Sequence, residues 1–260
     1  MVTRDDPWRR LRQFTNARIG LGRSGDALPT RHLLEFRLAH ARARDSVYSE
    51  LDTATLIEAL QASVPGLPDC LCVHSNATDR VDYLQRPDHG RQLAAECHGQ
   101  LPPGPFDLVM VIGDGLSAEA VTTQVPALLA GALPELSGLR LGPLVVATQA
   151  RVALADDIGE RMGAKLVVML IGERPGLSSP ASLGVYLTWQ PRVGRQNSER
   201  NCISNIHDHG LSPAIAAVKL VALIRSAIAR QLTGVGLKEA DGLSAGPDPD
   251  RLDRDRSDPA

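Results

Sequence analysis

A chain of 260 residues that is 43% hydrophobic can bury a substantial core in one or two domains. Its 28 Lys and Arg stand against 30 Asp and Glu, a net charge of -2, so no global positive field exists to neutralise a phosphate backbone, and no nucleic-acid partner is expected. No apolar run approaches the roughly 20 residues that span a bilayer, and Arg4, Asp5 and Asp6 precede Trp8 where a signal peptide would be apolar; no membrane is expected and the expected location is cytoplasmic.

The four cysteines, Cys70, Cys72, Cys97 and Cys202, contain no C-x-x-C pair, which speaks against a zinc ribbon or a thioredoxin-type site. At 3%, aromatic residues are too sparse for a single-strand stacking platform.

From Thr30 to about Ala62 there is no Gly or Pro, and Leu34, Leu38, Ala41, Val47 and Leu51 recur at helical spacing, which predicts one long helix or two abutting ones. Pro29 and Thr30 suit its first turn and N-cap, and Pro65-Gly66-Leu67-Pro68 stops it. Short apolar runs then alternate with helical ones. Strands are predicted at Leu108 to Ile112, Leu144 to Ala147, Leu166 to Ile171 and Leu183 to Trp189; helices at Ser117 to about Gly131, Leu154 to Gly163 and Ala214 to Leu232. That rhythm implies βαβ units. The expected fold is α/β, a Rossmann-like, largely parallel sheet preceded by an α-helical N-terminal region, with residues 1–68 helical, 69–238 the α/β domain and 239–260 a disordered tail.

Ligands of open α/β sheets lie beyond the carboxyl ends of the strands, and two loops belong there. Gly113-Asp114-Gly115 formally opens a G-x-G-x-x-G/A dinucleotide fingerprint, the main rival reading. Against it, Asp114 would face a pyrophosphate, and the acidic residue expected about 20 positions on is only Glu135 in a Pro- and Gly-flanked loop; the favoured reading is a tight turn with Ser117 as helix cap. The second loop, Gly172-Glu173-Arg174-Pro175-Gly176, lies inside a run from Lys165 to Ile206 that passes from β-branched residues to a Gly- and Pro-rich polar loop and on to Cys202. Glu173 is either a surface carboxylate paired with Arg174 or a fixed acceptor held between Gly172 and Pro175. Cys202 alone reads as a small hydrophobe; His207 and His209 are close in sequence, but no orienting motif makes either its base. Arg37, His40 and Arg44 share one helical face, a solvated stripe or a partner surface.

From about Phe14 to Lys238 the chain resembles the small subunit of ethanolamine ammonia-lyase. The resemblance is carried by Thr15-Asn16-Ala17-Arg18-Ile19-Gly20-Leu21-Gly22-Arg23-Ser24-Gly25, the helical run Phe36 to Asp45, Tyr83-Leu84-Gln85-Arg86-Pro87-Asp88, Val111-Ile112-Gly113-Asp114-Gly115-Leu116-Ser117 and Glu199-Arg200-Asn201-Cys202-Ile203-Ser204-Asn205-Ile206. It implies an adenosylcobalamin-dependent lyase that splits the cofactor's cobalt–carbon bond and converts ethanolamine to acetaldehyde and ammonia. It further implies a large-subunit partner that holds the substrate, a hetero-oligomer with several copies of each chain, and a cofactor bound base-on at the subunit interface. A bacterial microcompartment is left open as the place of the complex. Family cofactor contacts fall on Val152, Glu173 and Cys202, with no catalytic residue and no metal ligand in this chain. Neither Asp88-His89-Gly90 nor His207-Asp208-His209-Gly210 has the D-x-H-x-x-G spacing with which some proteins place a histidine on cobalt. The alternative is a non-catalytic or dinucleotide-binding Rossmann-type module.

Overall fold

In the computed structural model, which describes residues 8–15 and 17–237, the central strands are those with the longest uninterrupted apolar runs. Strand β1 is Cys70–His74, β2 Phe106–Gly113, β3 Leu144–Thr148, β4 Ala164–Gly172, β5 Leu183–Trp189 and β6 Arg200–Ile206. The sheet order is β1-β3-β2-β4-β5-β6. The first four strands pair in parallel; β5 runs antiparallel to β4, and β6 to β5. The Rossmann-like α/β expectation holds, with an antiparallel margin added. The physical reason lies in loop 173–182, which contains no helix: parallel return requires a long crossover, and without one the chain turns straight back.

Among the described residues there are six α-helices: α1 Thr30–Tyr48, α2 Thr53–Ser63, α3 Arg80–Gln85, α4 Ala118–Ala132, α5 Leu154–Arg161 and α6 Pro213–Arg230. Along β2 the side chains alternate between two core layers. Leu108, Met110 and Ile112 join the layer of α2, α4 and α6, and Val109 and Val111 join that of α5. Both faces are thus covered, which is why β2 from Leu108 to Ile112 and β4 from Leu166 to Ile171 are apolar without a break instead of alternating.

The N-terminal run resolves into two helices. Asp52 accepts hydrogen bonds from the amides of Ala54 and Thr55 and so starts α2 afresh, with Leu56 and Leu60 in the core. Thr30 is the first residue of α1, whose N-cap, Pro29, offers no side-chain bond, so the predicted Thr30 cap is corrected. In α1 only Ser46 is buried; Arg37, His40 and Arg44 are all exposed. Ser117 caps α4 as expected, accepting from the Ala120 amide at 3.3 Å. Strand β1, helix α3 and strand β6 were not anticipated. In β6 Arg200 is buried against Asp156 on one face, Ile203 and Ile206 on the other, and a bulge lies between the last two, so no period of two is visible. The predicted tail lies outside the described residues. Among the described residues no helix is long and apolar enough to cross a membrane.

Candidate functional site

The turn after β2 is closed by its own protein. Asp114 points inward, accepting from the amide of Ala150 at 2.9 Å and that of Gln149 at 3.0 Å, and pairs with Arg80 at 3.2 Å. Burial pushes the Asp114 carboxyl above its ordinary range, against the pull of those amides and the guanidinium. Gly115 is left-handed at φ +55, and a Cβ there would lie 2.1 Å from the Gly172 carbonyl oxygen, which instead accepts from the Leu116 amide at 2.9 Å. The close backbone approach that glycines grant a pyrophosphate is taken here by β4. This overturns the dinucleotide reading of Gly113-Asp114-Gly115 and leaves the tight turn.

Arg80 comes from the start of α3, and its neighbour Tyr83 is the pivot of the site. Tyr83 is 1% exposed, and its hydroxyl donates to the Ala150 carbonyl at 3.0 Å; burial pushes its pKa up to about 12. Guanidinium carbons flank its ring, Arg80 at 4.7 Å and Arg151 at 4.5 Å from the centroid. Beyond it opens a cleft of about 350 Å³ whose lining includes Arg151, Val152, Glu173 and Tyr186.

Val152 and Glu173, named from sequence, therefore meet in one cleft although they leave different strands. Glu173 is tied at its backbone to Ser182, and its Oε2 accepts from Ser182 Oγ at 3.0 Å, not from Arg174, which is exposed and outside its reach. Its Oε1 has no partner among the described residues, and Gly184 leaves that oxygen room, since a Cβ there would lie 2.7 Å from it. Val152 is half-buried against the α5 core layer. Cys202 does not line the cleft. It is exposed on edge strand β6, opposite Tyr186 in the pairing with β5. Partial burial raises the Cys202 thiol above its ordinary pKa, and neither histidine is its partner: His207 Nδ1 accepts from the His209 amide. A nucleophile needs the reverse shift and a base.

A second cleft, of about 620 Å³, joins the first along Arg151 and Val152 and is otherwise lined by Arg91, Gln92, Arg195, Asn197 and Arg200 among others. Arg200 is pinned at 2.6 Å to Asp156, and Arg195 is paired with Glu199. Burial raises the Asp156 carboxyl while Arg200 holds it back. Sequence reasoning missed Tyr83, Arg151 and Tyr186. Tyr83 stood in a quoted motif and Arg151 beside Val152, but no local pattern marked any of the three.

The fold and these clefts define an α/β protein with two adjoining open clefts beyond the carboxyl ends of its parallel strands. A family model described as "Ethanolamine ammonia-lyase light chain (EutC)" matches residues 5–238. The ethanolamine ammonia-lyase small subunit of Rhodopseudomonas palustris (strain BisA53) is 52% identical over 243 residues, 91% of this chain and 92% of that protein. That of Ralstonia nicotianae is 50% identical over 243 residues, 90% of this chain and 89% of its own length. The Bradyrhizobium diazoefficiens protein of the same name is 52% identical over 235 residues, covering 88% and 89% of the two chains. The chain belongs to the ethanolamine ammonia-lyase small-subunit family.

Proposed function

We propose that this chain acts as the small subunit of an ethanolamine ammonia-lyase and forms one wall of an adenosylcobalamin site whose other wall is the large subunit. The observation that carries the reading is the meeting of Val152 and Glu173 in one cleft, with Cys202 joined to it through Tyr186. The residues fit the group. A corrin is fringed by primary amides, and Glu173 Oε1 is a positioned acceptor lacking a partner among the described residues. The open cleft suits a cofactor covered from the far side by a second chain.

The cofactor supplies, when bound, a cobalt–carbon bond that breaks to give the radical which takes hydrogen from ethanolamine. Glu173 accepts from the amide fringe, Val152 gives apolar contact, and the Tyr186–Cys202 pair stiffens the sheet margin beside them. Together they orient the ring and exclude water from it. No histidine here sits in the D-x-H-x-x-G string, so this chain would offer no imidazole to the cobalt of a bound cobalamin. Substrate binding falls to the large subunit, in a cytoplasmic hetero-oligomer with several copies of each chain.

The test is titration of cobalamin into the full chain alone, the large subunit alone and their mixture, followed by absorbance and by acetaldehyde release from ethanolamine. Saturable binding and turnover are expected of the mixture only. Turnover by this chain alone, or a mixture that assembles and leaves the cobalamin spectrum unchanged, would overturn the reading.

A further inference from the structure

The cleft lined by Arg91 and Arg151 carries positive charge that no carboxylate answers. Its two other arginines are committed, Arg200 to Asp156 and Arg195 to Glu199. Its one carboxylate, Asp88, is held by Arg86 through bonds of 3.2 Å and 2.9 Å. Arg151 and Arg91 take part in no ion pair among the described residues, and the Arg151 Nε is buried without a hydrogen-bond partner. Arg151 is nevertheless firmly placed. Its guanidinium stacks on Tyr83, its Nη2 donates to the Tyr83 carbonyl at 3.0 Å, and its stem lies over Gly90, where a Cβ would come within 2.7 Å of its Cγ. A planar cation held in position with donors to spare is what a phosphate oxygen binds best.

We propose that Arg151, supported by Arg91, binds a phosphate group, specifically the phosphodiester in the nucleotide tail of the cofactor. This rests on the cobalamin reading above, and the charge argument selects the group. The corrin's side chains are neutral amides, so the phosphodiester is the one anionic group of the molecule. Arg151 lines both clefts. The corrin therefore lies in the cleft of Glu173 while its tail crosses the seam at Arg151 into the arginine-lined one. A free phosphate would satisfy the same donors, and the experiment separates the two sources.

The full chain assembled with its large subunit is titrated with cobalamin and with cobinamide, which lacks the nucleotide and its phosphodiester. The proteins compared are wild type, Arg151→Gln, Arg151→Lys and Arg91→Gln. Arg151→Gln should weaken cobalamin roughly 10- to 150-fold, the range expected when a hydrogen bond to a charged group is lost, and leave cobinamide unchanged. Arg151→Lys should recover part of the loss, and inorganic phosphate should compete with cobalamin but not with cobinamide. Equal losses for both ligands would overturn the proposal, since Arg151 would then serve the corrin or the fold. Arg91→Gln, at an exposed position, gives the same contrast in smaller measure if Arg151→Gln fails to assemble. If wild type binds neither corrinoid, the cofactor reading itself has failed. Phosphorus-31 line broadening of inorganic phosphate that depends on Arg151 then upholds the anion site with free phosphate as occupant, and its absence overturns it.

Discussion

Tyr186 and Cys202 stand opposite each other across β5 and β6, the cysteine on the exposed edge strand. Tyr186 also lines the cleft shared by Val152 and Glu173, so one edge-strand contact ties the third candidate position to the other two. Burial, with the cysteine beside it as a lesser cause, pushes the Tyr186 hydroxyl well above the ordinary tyrosine range, so it stays protonated near neutral pH.

The first prediction concerns the Cys202 sulfur. With its pKa raised by partial burial, Cys202 holds less thiolate near pH 8 than an unperturbed cysteine and should react with iodoacetamide more slowly than a cysteine peptide. Peptide mass spectrometry with Cys202→Ser as the blank reads both rates; modification faster than the peptide would restore the nucleophile.

Glu173→Ala should weaken cobalamin binding in the assembled complex by about 5- to 150-fold, the equivalent of about 1–3 kcal/mol for a lost bond to a buried group, and shift the melting temperature little. Gly184→Ala reaches the same carboxylate from behind, because the new Cβ crowds Oε1, the mobile end of the side chain. It should fold and still lose affinity. A Gly184→Ala protein with wild-type affinity would mean that the position of Glu173 does not matter to the ligand.

Asp114→Ala strips the carboxylate from Arg80, which is 6% exposed, and removes the acceptor that holds the Gln149 and Ala150 amides. Breaking a buried pair from one side costs about 3–5 kcal/mol, which for a domain of this size lowers the melting temperature by roughly 6–20 °C. Scanning calorimetry decides it, and an unchanged melting point would show that the turn after β2 stands without the pair.

Asp107 supplies the pH dependence. Its hydrogen bond with Lys165, followed by that from the Arg140 amide, brings its pKa down to about 2 from 3.8. The folded chain thus takes up this proton less readily than the unfolded one. The stabilisation is complete above about pH 3.8 and fades as the pH falls through about 2. Asp107→Asn should therefore be less stable than wild type near neutrality, by no more than about 1 kcal/mol because Lys165 is half exposed, with the gap closing below about pH 4. Urea midpoints across that range measure it; a gap that widens in acid would reverse the sign.

Strands β2 to β5 and helices α4 to α6 were legible in the amino-acid order because burial on one or both faces writes its period directly into the chain. Glu173 was legible for a related reason: a carboxylate that follows a buried strand between Gly172 and Pro175 has few ways to be mobile. Val152 and Cys202 carried no such mark, and only the resemblance singled them out. In β6 the burial of Arg200 on one face and of Ile203 and Ile206, across a bulge, on the other left no alternation to reveal the strand of Cys202.

What no local pattern holds is which distant groups come together. That Asp114 turns inward, closing the glycine turn to any dinucleotide, depends on amides 35 and 36 positions later. Arg151 is held over Tyr83 from 68 positions away, and Cys202 reaches the site only because β5 and β6 pair antiparallel in one register. Periodicity reports how each segment meets water and core. The site arises from contacts between segments, whose partners are set by sheet order and packing once the chain has folded.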